Sequence, residues 1–62
     1  MRLINLTNRE IEIAKLIVKG KTYKEIASEL FISEKTVTKH AQNMYEKADV
    51  SNKVGFINKL ML

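Results

Sequence analysis

Apolar residues recur along this chain at helical spacing, and the clearest block runs from Ser33 to Ala48. Val37, Ala41, Met44 and Ala48 stand at i, i+4, i+7 and i+11, so about 100° per residue puts them on one stripe, with Tyr45 at its edge. The opposite side carries Lys35, Thr38, Lys39, Gln42 and Asn43, with no acidic residue before Glu46. This pattern predicts one helix, capped by Ser33, with a buried stripe and a polar face of basic and amide groups.

The flanking blocks predict three shorter helices. Thr7-Asn8-Arg9-Glu10 matches a capping box, with Leu6 placed as a hydrophobic staple ahead of it. A first helix then runs to about Lys19, with Ile13, Ile17, Ala14 and Leu16 inward and Ile11 off the stripe. Gly20 follows as a left-handed closing residue. Thr22-Tyr23-Lys24-Glu25 is a second capping box and opens a helix over 23–30, with Tyr23, Ile26, Ala27 and Leu30 inward. Phe31 and Ile32 break that rhythm just before Ser33. A joint this short forces the second and third helices to cross sharply, as in a helix-turn-helix. Phe31 stands where such a joint often has glycine.

The fourth helix is predicted over about 52–61, capped by Ser51. Val50, Val54, Ile57 and Met61 form one apolar stripe, while Phe56 and Leu60 lie about 100–140° round from it. Two readings fit a short helix that is apolar on two sides: a wide core face, or a contact between two copies of the chain. Gly55 inside it costs about 1 kcal/mol relative to alanine, and either admits a partner helix or is tolerated.

Composition narrows the class. Sixty-two residues make at most one small domain, read here as 1–62, and a 45% hydrophobic content allows a compact core. The chain has no Cys and no Pro, and only 2 Gly, which excludes a disulfide framework or thiolate metal site and suits a mostly helical chain. No apolar run is long enough for a membrane span or a signal peptide, so a cytoplasmic location is expected. Eleven Lys and Arg against 7 Asp and Glu leave a net charge of +4, which favours a polyanionic partner.

Charge and amides together on the outer face of the third helix suit the DNA major groove, which is anionic and rich in hydrogen-bonding edges. Lys39 can donate to guanine O6 and N7, and Gln42 can pair with adenine N6 and N7. Lys24, Lys35, Lys39, Lys47 and Lys53 are placed to surround one groove. The amino ends of the second and third helices offer backbone N–H groups to phosphates. Plainer roles stand beside these. Thr22 and Ser33 are helix caps first; Tyr23 and Tyr45 are core-edge groups; Met44 and Met61 are core. Lys15, Lys19, Lys21 and Lys59 read as solvated charge. Glu10, Glu25 and Glu29 come with no nucleophile, and His40 is the one histidine, so neither catalysis nor a metal site is expected.

The residues carry a family resemblance. Leu6-Thr7, Arg9-Glu10, Gly20, Lys24-Glu25-Ile26-Ala27, Ile32-Ser33, Thr36-Val37, His40, Asn43-Met44 and Lys47 stand at the spacings of the LuxR family, also called the GerE or NarL/FixJ type. The likeness covers about Leu6 to Leu60. It implies an all-α fold of four short helices: a tri-helical helix-turn-helix core and a C-terminal dimerisation helix. It implies sequence-specific binding of double-stranded DNA as the output domain of a transcription regulator, with no cofactor and no small-molecule ligand in this domain.

Carried over by the resemblance, the base contacts are Thr38, Lys39 and Gln42. The DNA backbone contacts are Thr22, Tyr23, Lys24, Ser33, Thr36, His40, Asn43, Lys47 and Lys53, to which the charge reading adds Lys35. The dimer contacts fall to Phe56 and Leu60. Many relatives have Lys at the place of Thr38, and Arg at that of Lys53. A homodimer on DNA is expected, with RNA polymerase a candidate further partner. A protein-interaction adaptor on the same fold is the competing expectation. A sigma-factor-like helix-turn-helix is disfavoured by the T-V-x-x-H run.

Overall fold

A computed structural model describes residues 6–61, of Met61 only the backbone. The expectation for the Met61 side chain lies outside the described residues. The chain folds as α1 (Asn8–Val18), α2 (Tyr23–Leu30), α3 (Glu34–Lys47) and α4 (Lys53–Met61). None of these helices is long and apolar enough to cross a membrane.

Each helix start has a local cause. Thr7 Oγ1 accepts from the Glu10 N–H while Glu10 Oε1 accepts from the Thr7 N–H, and Thr22 and Glu25 repeat this reciprocal pair. Ser33 Oγ accepts from the Thr36 N–H at 3.1 Å. For α4 the cap is Asn52, not Ser51: Asn52 Oδ1 accepts from the Gly55 N–H at 2.8 Å. Gly55 therefore faces its own chain's cap, and a Cβ there would lie 3.4 Å from Val50.

The first three helices end alike. Gly20, Phe31 and Asp49 take left-handed backbone angles, with φ of 91°, 58° and 59°. In each case the following N–H reaches back five residues, from Lys21 to the Leu16 carbonyl, from Ile32 to Ala27 and from Val50 to Tyr45. This Schellman closure satisfies carbonyls that a helix end otherwise leaves open. It also turns Ile32 and Val50 back onto the core, where both are half-buried.

One core holds the helices together. Ile13, Ala14 and Ile17 of α1, Ile26 and Ala27 of α2, and Val37, Ala41, Met44 and Tyr45 of α3 are buried, as the stripes predict. α3 packs against both α1 and α2, and α1 also packs against α4. Of the two readings of α4, the wide core face is the one the structure contains, with Val54 left out of it. Phe56 is fully buried, its ring centroid 5.4 Å from that of Tyr45, and Leu60 packs on the core, whereas Val54 is 66% exposed. The expected stripe holds at Val50 and Ile57, which pack on the core, and fails at Val54, because Val50 closes α3 and lies outside α4 and so does not set that helix's phase. Burying a Phe ring contributes about 1.5–3 kcal/mol, more than a valine at the same place, so α4 rotates to put Phe56 inward.

Phe31 is 93% exposed and holds its left-handed angles with no packing to reward them. A side chain in that conformation costs about 1–2 kcal/mol. Phe31→Gly is expected to stabilise the fold by about 1 kcal/mol, after the greater chain entropy glycine returns to the unfolded state. Urea denaturation of the two proteins checks it; an unchanged or lower midpoint contradicts it.

Candidate nucleic-acid interface

α3 turns Lys35, Thr36, Lys39, Gln42 and Asn43 to solvent, because Val37, Ala41 and Met44 occupy the opposite stripe. Ser33, Lys35, Thr36, Thr38, Lys39 and Gln42 line one shallow open concavity on this face. Thr38 is half-buried, and its hydroxyl donates to the Glu34 carbonyl at 3.0 Å. His40 is half-buried at the edge of the same helix. Thr36 Oγ1 and Ser33 Oγ share a hydrogen bond of 2.9 Å. The structure thus brings all three residues expected at bases into one concavity.

The lysines divide by partner. Among the described residues, Lys24, Lys35 and Lys39 make no ion pair, and each is exposed. Lys47 is exposed and pairs across the helices: its Nζ lies 2.8 Å from Glu10 Oε1. Lys53 donates to the Lys21 carbonyl at 3.2 Å and stands 5.4 Å from the Tyr23 ring centroid, so its ammonium rests beside the amino end of α2. Lys21 pairs with Glu29 at 3.2 Å, and Lys59 donates to the Ala48 carbonyl at the end of α3. Neither is merely solvated.

Two helix starts flank the α3 face. In α2 the N–H of Glu25 goes to the Thr22 side chain and that of Ile26 to the Thr22 carbonyl, which leaves the Tyr23 and Lys24 N–H groups outward. In α3 the N–H groups of Glu34 and Lys35 are left in the same way by Ser33. Such ends carry partial positive charge and bind anions. The Tyr23 hydroxyl joins α2 to α3 through a hydrogen bond to Tyr45. Burial and that bond hold the Tyr45 hydroxyl neutral, its pKa well above the ordinary tyrosine value.

Several features were hidden from sequence reasoning. Thr38's bond to Glu34 has a weak sequence signal, since a helical threonine can bond the carbonyl four residues back. The Lys53 contact with Tyr23 had none, because it joins elements distant in the chain. Phe56, expected on a dimer surface, is inside the core of its own chain.

The sequence model of a family described as bacterial regulatory proteins, luxR family, matches residues 4–60. The chain belongs to this luxR family. It is 50% identical over 56 residues to the spore germination protein GerE of Bacillus subtilis, covering 90% of this chain and 76% of that protein. It is 55% identical over 49 residues to the transcriptional regulatory protein LiaR of Bacillus subtilis, covering 79% of this chain and 23% of that one. It is 44% identical over 55 residues to the transcriptional regulatory protein UhpA of Salmonella typhimurium, covering 89% and 28%. The four-helix, strand-free architecture of the described residues is that of a luxR-type helix-turn-helix domain.

In this luxR-type domain Glu10 is the main buried charge, only 3% exposed. Burial alone would raise its pKa. Hydrogen bonds from Lys47 and Thr7, with the Lys47 charge, outweigh it and hold the carboxyl below its ordinary 4.5. A carboxyl depressed by folding stabilises the fold above its unfolded value, and that contribution is lost as pH falls through the folded value. Stability is therefore expected to fall on acidification below about 4.5. Glu10→Gln is expected to make that acid limb shallower, in thermal melts followed by circular dichroism across pH. Lys47→Met is expected to cost about 2 kcal/mol at neutral pH, because it strands a buried carboxylate whose lost partner was partly exposed. Lys39→Ala is expected to change stability by less than about 0.5 kcal/mol. Equal losses for the two lysine variants would contradict this division.

Proposed function

We propose that this chain binds double-stranded DNA sequence-specifically as the DNA-binding unit of a transcription regulator, with α3 seated in the major groove. The observation that carries the reading is the outward face of α3: Lys39 and Gln42 exposed beside Lys35 and Thr38 in one open concavity. The major groove admits one helix, and a lysine and an amide are donors suited to guanine and adenine edges. GerE, LiaR and UhpA support it, as the last two are named transcriptional regulatory proteins.

Thr38, Lys39 and Gln42 take the bases in this reading. Thr22, Tyr23, Lys24, Ser33, Lys35, Thr36, His40 and Asn43 take the phosphates, through side chains or through the open N–H groups of α2 and α3. Lys53 adds positive potential at the start of α2. Lys47 acts mainly by holding α3 against α1. Gel shifts against salt test the whole: affinity is expected to fall with a log–log slope near −0.9 per phosphate neutralised. Lys39→Ala is expected to cost about 1–3 kcal/mol on the preferred site and to relax preference at one base pair. Lys24→Ala is expected to weaken all sequences alike and to reduce the salt slope by about 1. A salt-independent affinity would favour an adaptor that binds protein.

Pairing of two copies on DNA belongs to the same proposal, through the outward side of α4. Val54 is the exposed apolar group there, in place of the buried Phe56, with half-buried Leu60 at its margin. Val54→Asp is expected to leave the fold intact and convert cooperative two-site binding to single-site binding, read by footprinting on a paired site. Unchanged cooperativity would place the contact elsewhere.

A further inference from the structure

We infer that Thr38 reads the 5-methyl group of a thymine, so that the site recognised by α3 holds a T·A pair whose methyl is needed for tight binding. The inference rests on the proposed seating of α3 in the groove and adds the chemistry of one base.

The hydroxyl of Thr38 is the starting point. It carries one proton, and that proton goes to the Glu34 carbonyl at 3.0 Å. A threonine bonded to the carbonyl one turn back is confined to one side-chain rotamer, which places its methyl at a set position. Donation to a base would first break this bond and leave the carbonyl one acceptor contact poorer. The oxygen keeps its lone pairs for accepting, but a serine would offer the same; what Thr38 adds is its methyl group. Thr38 lines the concavity with Lys39 and Gln42, the other residues proposed to touch bases.

The neighbours sharpen the choice. Lys39 is a donor without an acceptor, and suits guanine. Gln42 presents a donor and an acceptor, and suits adenine. Neither supplies an apolar surface. In the major groove the thymine methyl is the one apolar feature that separates the base pairs, and a threonine methyl is a fitting contact for it. No carboxylate lines the concavity, so it lacks the charged acceptor that suits the cytosine amino group. Replacement of Thr38 by lysine would exchange a methyl reader for a donor, so this position bears on which base pair is preferred.

The test uses the full 62-residue chain and a duplex selected from a random pool. Each thymine of the selected site is replaced in turn by deoxyuridine, which removes only the methyl. One such replacement is expected to weaken the wild-type protein about fourfold, the value of one buried methyl. Thr38→Ser keeps the hydroxyl and its bond to Glu34 but lacks the methyl, and is expected to bind the thymine and uracil duplexes equally. Thr38→Val keeps a methyl without the hydroxyl, and is expected to keep the fourfold difference. Circular dichroism confirms that both variants are folded, and Thr38→Ser alone decides the matter if Thr38→Val is not.

A wild-type protein indifferent to every uracil overturns the inference and leaves the DNA reading standing. So does a Thr38→Ser variant that discriminates as the wild type does. Failure of the wild type to retain any duplex at low salt overturns the DNA reading itself, and this inference with it.

Discussion

One carboxylate joins the start of α1 to the end of α3. Glu10 accepts from the Thr7 N–H and from Lys47 at once, while only 3% of it remains exposed. A carboxylate taken out of water loses several kcal/mol of hydration, and a single ion pair seldom restores more than it costs. Here the same Oε1 serves a helix cap and an ammonium, so the compensation comes from two directions. Geometry is the larger consequence. The cap needs Glu10 at the third position of α1, and the ion pair needs Lys47 at the last position of α3. The two demands together set where α3 lies on α1, and hence which of its sides is left to solvent. A hydrophobic stripe alone tolerates small rotations and slides; two directional bonds to one atom do not.

Net charge is a poor guide to which cations are available. The chain carries +4, but the sum does not distinguish Lys47, paired with the buried Glu10, from Lys39, which makes no ion pair among the described residues. Lys59 finishes α3 by reaching the Ala48 carbonyl, and Lys53 rests on the Lys21 carbonyl. The cations left without ion partners on α2 and α3 lie where two helix starts add positive potential of their own. Partnered lysines therefore position the helices, and unpartnered ones give the outward face its charge.

Much of this organisation is legible in the chain itself. The capping boxes at Thr7–Glu10 and Thr22–Glu25 are local, reciprocal and separated by fixed spacing, so the starts of α1 and α2 follow from a few residues. The stripes of α1, α2 and α3 are legible because each helix contains its own phase. α4 is not, for a specific reason: Val50 matches the rhythm of the helix after it but belongs to the closure of the helix before it. The inward group of α4 is Phe56, Ile57 and Leu60, and Val50 packs on the same core from the closure of α3. The face of α3 is readable as a face, since burial of Val37, Ala41 and Met44 dictates it. The partners of the lysines are not, because Lys47 and Glu10, or Lys53 and Lys21, meet only after the helices have packed.

The repeated left-handed closure adds a constraint that composition conceals. With only 2 Gly in the chain, two of the three closures fall to Phe31 and Asp49. Aspartate tolerates this conformation comparatively well, but phenylalanine does not. Phe31 holds it because Ile32, the next residue, is half-buried on the core, and because its own N–H and that of Ile32 return to the Ser28 and Ala27 carbonyls. Any other backbone path through Phe31 would pull Ile32 away from the core and move Ser33, the cap of α3. The strain at one exposed residue is thus balanced by anchors on both sides, and what those anchors set is the angle at which α3 leaves α2. The side of α3 that carries Lys39 and Gln42 depends on that angle as much as on its own sequence.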